Sequence, residues 1–255
     1  MENNISELKQ DLIKWIKNWY FSSATNENMP VVVGLSGGAI SNVMVCLLCT
    51  ALGPHRVHGV IMRGVNQVSD DEPAVNICNY VKIKFVRIPI YPSVNALKNV
   101  MTLDGKVRLS EQAINNIPAR MRMVALYAYS QSVEGFVVST QTLSDMFIGH
   151  NTIYGDGCGD FAPFANLTRE EIMKIGDELG MNKKYLEIIP DDGLPASVPD
   201  EDKFQFKYKE LDTYIRTGII ENVRSKALID KLHSINSFKR LKMASFNPGL
   251  YVFNP

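Results

Sequence analysis

The residues best placed to do chemistry form one turn, Gly34-Leu35-Ser36-Gly37-Gly38-Ala39-Ile40-Ser41. It follows a run of β-branched residues, Val31-Val32-Val33, and precedes a helix-like stretch from about 41 to 51. Glycines let the backbone come close to an anion, and the N–H groups of such a turn and of a helix start carry partial positive charge. Ser36 and Ser41 add hydroxyl groups. The pattern suits a phosphate, and it equally suits a plain tight turn between a strand and a helix. No Gly-Lys-Ser/Thr closes it, so it is not a Walker A loop, and its glycine spacing is not that of the dinucleotide fingerprint.

The other reactive side chains carry weaker signals. Cys46 and Cys49 are spaced as Cys-X-X-Cys inside the apolar stretch 43–48, which suits buried small side chains better than a redox pair. Cys78, Cys158 and the four histidines give no second pair at zinc-finger spacing. Cys158 sits in a Gly-rich loop with nothing to mark it as a nucleophile. His55 and His58 flank a strand start and read as surface groups. His150 follows Gly149 and reads as loop packing, and His233 ends a helix, where a cation favours the macrodipole. Arg120 and Arg122 lie two apart on a helix and so point to different faces.

These residues need a frame. Ile5, Leu8, Leu12, Trp15, Ile16 and Trp19 recur at helical spacing and predict a helix over 5–21, with both tryptophans packing on a core. Strands are predicted at 31–33, 57–62, 83–88 and 136–139, with helices at about 41–51, 70–80, 93–101 and 111–132. Strands alternating with helices imply a doubly wound α/β fold, a parallel sheet with helices on both faces. Ligands of such sheets sit beyond the carboxyl ends of the strands. After Thr140 glycines and prolines mark a loop-rich, helical part beginning at about 141, within one domain spanning 1–255. Thr168 and Glu171 form a capping box there, and helices are predicted at 208–216 and 222–233.

The 255 residues are ample for a buried core. Lys plus Arg and Asp plus Glu number 27 each, so no basic excess points to a nucleic acid partner. No apolar run is long enough to span a membrane. Met1-Glu2-Asn3-Asn4 lacks the basic start and apolar block of a signal peptide, and with four unpatterned cysteines this leads to the expectation of a cytoplasmic protein.

Five segments together resemble one family. Ser36-Gly37-Gly38-Ala39-Ile40-Ser41 is similar to the Ser-Gly-Gly-X-Asp-Ser loop of the ATP pyrophosphatases. Asn116-Ile117-Pro118-Ala119-Arg120-Met121-Arg122-Met123 resembles the Asn-X-X-Ala-Arg-X-Arg-Met helix of the ammonia-dependent NAD synthetases. Ser139-Thr140, Asp145, Gly149 and Tyr154-Gly155-Asp156 resemble their Gly-Thr…Glu…Gly…Tyr-Gly-Asp stretch. Asp200-Glu201 with Tyr208 and Leu211-Asp212, then Phe238-Lys239-Arg240, follow in family order. The likeness covers most of the chain and is to the short type without a glutaminase domain.

The resemblance implies an adenine-nucleotide α-hydrolase-like fold and the ATP-dependent amidation of deamido-NAD to NAD, with ammonia as nitrogen donor, magnesium as cofactor, and AMP and pyrophosphate as products. It implies that Gly34, Ser36, Gly37, Gly38 and Ser41 cradle the ATP phosphates, with Ser36, Ser41 and Asp145 closest to the chemistry. Thr140 and Arg169 would contact ATP, and Met62 and Gln67 would lie near adenine. Arg120, Asp160 and Lys239 would hold deamido-NAD in a site built between the subunits of a homodimer. Helices such as 118–129 would supply the interface. Departures accompany the likeness. Ile40 stands where the family has a magnesium-binding Asp, and Asp145 where it has a Glu. Ile153 and Arg169 stand at family lysines, and Asp191 at a family Ser or Thr. Two readings follow, a divergent synthetase and a pseudoenzyme that binds NAD, deamido-NAD or ATP as a sensor. A third keeps the loop but changes the acceptor. The neutral charge and lack of a catalytic cysteine pair weigh against tRNA thiolation.

Overall fold

The computed structural model describes residues 4–62, 72–189 and 198–241. Its sheet has four parallel strands among the described residues: β1 (Val31–Gly34), β2 (Val57–Ile61), β3 (Lys84–Arg87) and β4 (Phe136–Val137). Their order is β3-β2-β1-β4, with Val31 opposite both Val57 and Phe136. The chain order therefore reverses between β1 and β4. That is where an open parallel sheet leaves a crevice.

Alternation along β1 explains why both faces are covered. Val31 and Val33 point into a core shared with α1 (Ile5–Ser23), α2 (Ala39–Leu52) and α7 (Arg169–Glu178). Val32 points the other way, onto Leu126 of α5 (Glu111–Ser132). Near-continuous apolar strands are what two covered faces require.

Local signals set the helices. Asn4 caps α1, its side chain accepting from the Ser6 and Glu7 N–H groups. Leu12, Ile13, Ile16 and Tyr20 of α1 are buried. Trp19 stacks on Phe161 with centroids 4.0 Å apart, whereas Trp15 is largely exposed, so the expected tryptophan stripe packs through Trp19. α5 is capped by Ser110 and runs through Pro118. β3 is flanked by α3 (Glu72–Val81) and α4 (Tyr91–Thr102). β4 is shorter than the predicted 136–139; Val138 N still donates to the Val32 carbonyl of β1 at 3.0 Å, and Val138 also bridges Phe161.

The part after 140 builds a second, smaller core from Ile148, Phe206, Tyr208, Leu211 and Ile229. Its helices are α6 (Leu143–Ile148), α8 (Asp200–Phe204), α9 (Tyr208–Thr217) and α10 (Val223–Ile235). No helix among the described residues is long and apolar enough to cross a membrane.

A candidate nucleotide-binding cavity

The Gly-rich turn lies at the carboxyl end of β1 and opens onto a cavity of about 780 Å³, well within the size range of small-molecule sites. Gly37 adopts φ of +83°, and a Cβ there would fall 2.7 Å from Pro73 Cβ, so this position requires glycine. Ser36 Oγ accepts from Gly38 N at 3.1 Å, and Ser41 Oγ donates to the Gly38 carbonyl at 2.9 Å. Asn42, fully buried, donates from Nδ2 to the carbonyls of Gly37 and Tyr185. These bonds occupy the Gly37 and Gly38 carbonyls and the Gly38 N–H. Gly38 is the N-cap of α2 and offers no side chain to its N–H groups, which leaves them for a ligand.

Across the cavity stand Thr140, Asp145, His150 and Arg169. Thr142 caps α6 and its hydroxyl donates to Asp145 Oδ2 at 2.8 Å. Tyr208, at the start of α9, donates to Asp145 Oδ1 at 2.9 Å, with Asp200 Oδ2 at 3.4 Å. Burial, then the charges of Asp145 and Asp200, push the Tyr208 hydroxyl far up, so it remains a donor. The Arg169 guanidinium lies 5.0 Å from the Tyr208 ring centroid. His150 Nε2 is 3.5 Å from Asp200 Oδ1. Burial works against its cation, but Asp200, Asp145 and Asp156 outweigh burial and raise its pKa. Burial pushes the Cys158 thiol up to about 11, so it is no thiolate near neutral pH.

The structure thus brings Gly34, Ser36, Gly37, Gly38, Ser41, Met62, Thr140, Asp145 and Arg169 around one cavity. Arg120, Asp160 and Lys239 lie outside its lining. Arg120 Nε donates to the Ile153 carbonyl at 3.3 Å. Asp160 Oδ2 accepts from Val137 N at 2.7 Å. Lys239 Nζ donates to the carbonyls of Gly149 and Asn151, both at 2.7 Å. Gln67 and Asp191 lie outside the described residues. Arg122, His150, Asp156, Lys184 and Tyr208 line the cavity without having been singled out as site residues from the sequence. For Arg122 a signal exists: it lies four residues before Leu126, which faces the sheet, and so shares that stripe.

Magnesium has few protein donors here. Ile40 packs partly against the main core, and among the described residues no group of three His, Cys, Asp or Glu side chains could hold a metal. Among the described residues each Asp145 oxygen accepts one side-chain hydrogen bond, and a carboxylate oxygen has two lone pairs. That set fits an ion arriving on a triphosphate, which needs only one or two carboxylates from the protein.

A parallel sheet whose first strand runs into a Ser-Gly-Gly loop at the switch point defines an α/β protein with the adenine-nucleotide α-hydrolase type of fold. The NAD synthase family model matches residues 8–246, and the chain belongs to that family. An NH(3)-dependent NAD(+) synthetase of Finegoldia magna is 33% identical over 243 residues, covering 95% of this chain and 97% of that protein. The solved structure of an NMN synthetase from Francisella tularensis superposes with a TM-score of 0.85 at 26% identity, covering 96% of this chain and 100% of the other. An NH3-dependent NAD synthetase from Campylobacter jejuni shares the fold, with a TM-score of 0.74 at 22% identity over 96% and 99% of the two chains.

Proposed function

We propose that this chain joins ammonia to the nicotinate carboxylate of deamido-NAD, consuming ATP and releasing AMP and pyrophosphate. The observation that carries the proposal is the Gly34–Ser41 loop. Its carbonyls are engaged internally, and α2 begins at the cavity without a side-chain cap. In the first step a carboxylate oxygen attacks the α-phosphorus, and the bond to the β,γ-pyrophosphate breaks. In the second, ammonia attacks the acyl carbon, AMP leaves and one proton is lost. The N–H groups at the start of α2 and the Ser36 hydroxyl bind phosphate oxygens, the Ser41 hydroxyl joins them by turning from the Gly38 carbonyl, and Arg169 adds a cation on the opposite wall. Asp145, oriented by Thr142 and Tyr208, would hold magnesium, which when bound neutralises charge on the leaving pyrophosphate. The test is chromatography of AMP and NAD after incubating the protein with ATP, magnesium, ammonium and deamido-NAD. Both products in equal amounts are expected. Nucleotide binding without either product would make the chain a pseudoenzyme.

A second reading changes the acceptor to nicotinate mononucleotide, giving nicotinamide mononucleotide. Arg120 Nε, Asp160 Oδ2 and Lys239 Nζ bond this chain's own backbone, and the Ile153 side chain offers no polar atom. The Francisella NMN synthetase also superposes more closely than the Campylobacter NAD synthetase. The same assay with the mononucleotide discriminates the two by kcat/KM. We further propose a homodimer, supported by an apolar face on α4, and a cytoplasmic setting, supported by four free cysteines.

A further inference from the structure

Asp212 lies on α9 behind the cavity wall and is almost wholly buried. Its Oδ1 accepts from Ser144 Oγ, and its Oδ2 accepts from Glu170 N at 2.8 Å. Ser144 Oγ, also buried, accepts in turn from Arg169 N at 2.9 Å. Ser144 precedes Asp145 in α6, and Glu170 follows Arg169 at the start of α7. One carboxylate therefore ties together the backbones that carry Asp145 and Arg169. The third partner, Tyr208, opens the helix to which Asp212 belongs, so α6, α7 and α9 all meet at this group.

From this junction we infer that Asp212 is a positioning residue for ATP: it fixes Asp145 and Arg169 relative to each other across the triphosphate. The inference rests on the assignment of the cavity to ATP. Energetics argue that its role is placement more than stability. A buried carboxylate is expensive to keep, and burial pushes this one up to about 6. An Asn of equal shape would avoid that penalty. It could still accept from Glu170 N, but its amide would meet the Ser144 oxygen. The Ser144 hydroxyl would then lose its acceptor, and its bond with Arg169 N would weaken. A carboxylate alone accepts from both neighbours.

The experiment uses the full-length protein with ATP as the calorimetric probe, beside steady-state amidation. The variants are Asp212→Asn, Asp212→Ala and Ser144→Ala, with thermal melting to verify folding. Positioning predicts roughly tenfold weaker ATP binding, on the scale of one lost charged hydrogen bond. It also predicts a rise in KM for ATP beyond any fall in kcat, and a smaller effect in Asp212→Asn. A cycle with Arg169→Ala supplies the sharper readout. If Asp212 acts through Arg169, the double variant binds ATP no more weakly than Arg169→Ala alone. Fully additive losses would overturn the proposal, as would variants that melt lower but bind ATP like the wild type. If Asp212→Ala does not fold, Ser144→Ala, which removes only one arm, decides by the same criteria. A wild type that binds no ATP would instead bring down the cavity assignment, and the proposal with it.

Discussion

Ile40 is the residue whose identity most changes what the loop can do. Its aliphatic side chain lines the cavity and partly joins the core, and it offers no atom to a cation. In the proposed reaction magnesium would rest on Asp145, whose two oxygens already accept from Tyr208 and Thr142. Those bonds fix the carboxylate's orientation, and among the described residues it would be a single protein ligand where two are common. Ile40→Asp should lower the magnesium concentration for half-maximal amidation by roughly tenfold, equivalent to about 1.4 kcal/mol. Titrating activity with magnesium at saturating ATP checks this. An unchanged midpoint would mean that position 40 does not reach the metal. Destabilisation of about 1 kcal/mol should accompany the change, since a polar group replaces apolar burial.

At the scale of elements, α7 shows how a loop-rich segment gains a fixed place. Thr168 and Glu171 form a reciprocal capping box, the Thr168 N–H donating to Glu171 Oε2 at 2.8 Å. Arg216 of α9 then grips both Glu171 oxygens, at 2.8 and 2.7 Å. Burial works to raise the Glu171 carboxyl, but Arg216 and the Thr168 N–H outweigh it and hold it below the ordinary glutamate range. A depressed carboxyl pKa stabilises the fold above its unfolded value, and that stability is lost as pH falls through the folded value. Urea melts between about pH 5 and pH 3 should show a decline that Glu171→Gln flattens, by a total of order 1 kcal/mol given the exposed guanidinium. The box was legible in the sequence because its signal is local. So was α5, whose bounds match the predicted 111–132, since its cap, length and periodicity agree. α6 has a comparable signature, Thr142 with Asp145 and then Gly149 in the left-handed region at φ +70°, but six residues show no periodicity. The Asp212 junction had no local signature, because residues 144, 170 and 212 meet only through tertiary packing. The same holds for His150, whose place facing the cavity depends on Lys239, Asn236 and Arg240 holding the carbonyls that surround it.

For the whole molecule, the open question of assembly turns on which apolar surface the fold leaves uncovered. Of the segment 118–129 expected at the interface, helix α5 spends Ala119 and Leu126 on its own chain and leaves Val124 half exposed. Helix α4, which packs on α5, buries only Val94 fully. Its Leu97, Val100 and Met101 are spaced to share one face and are exposed, Val100 at 70%, with Leu103 just beyond at 84%. A face of this kind is costly to leave in water, and it is the surface on which the proposed homodimer would close. A two-fold axis would set this patch against its own copy, since an isologous interface uses the same residues on both sides. Sedimentation velocity should then give about twice the chain mass of 28.6 kDa. The double substitution Val100→Glu with Leu103→Glu places four buried carboxylates at such an interface, and the variant should sediment as a monomer. Both side chains are exposed in the single chain, so the thermal midpoint of the separated chains should report lost association and not a broken helix. If the wild type sediments at the single-chain mass at every concentration, the homodimer proposal fails. If both proteins remain dimeric, the interface lies elsewhere and the α4 face has another occupant.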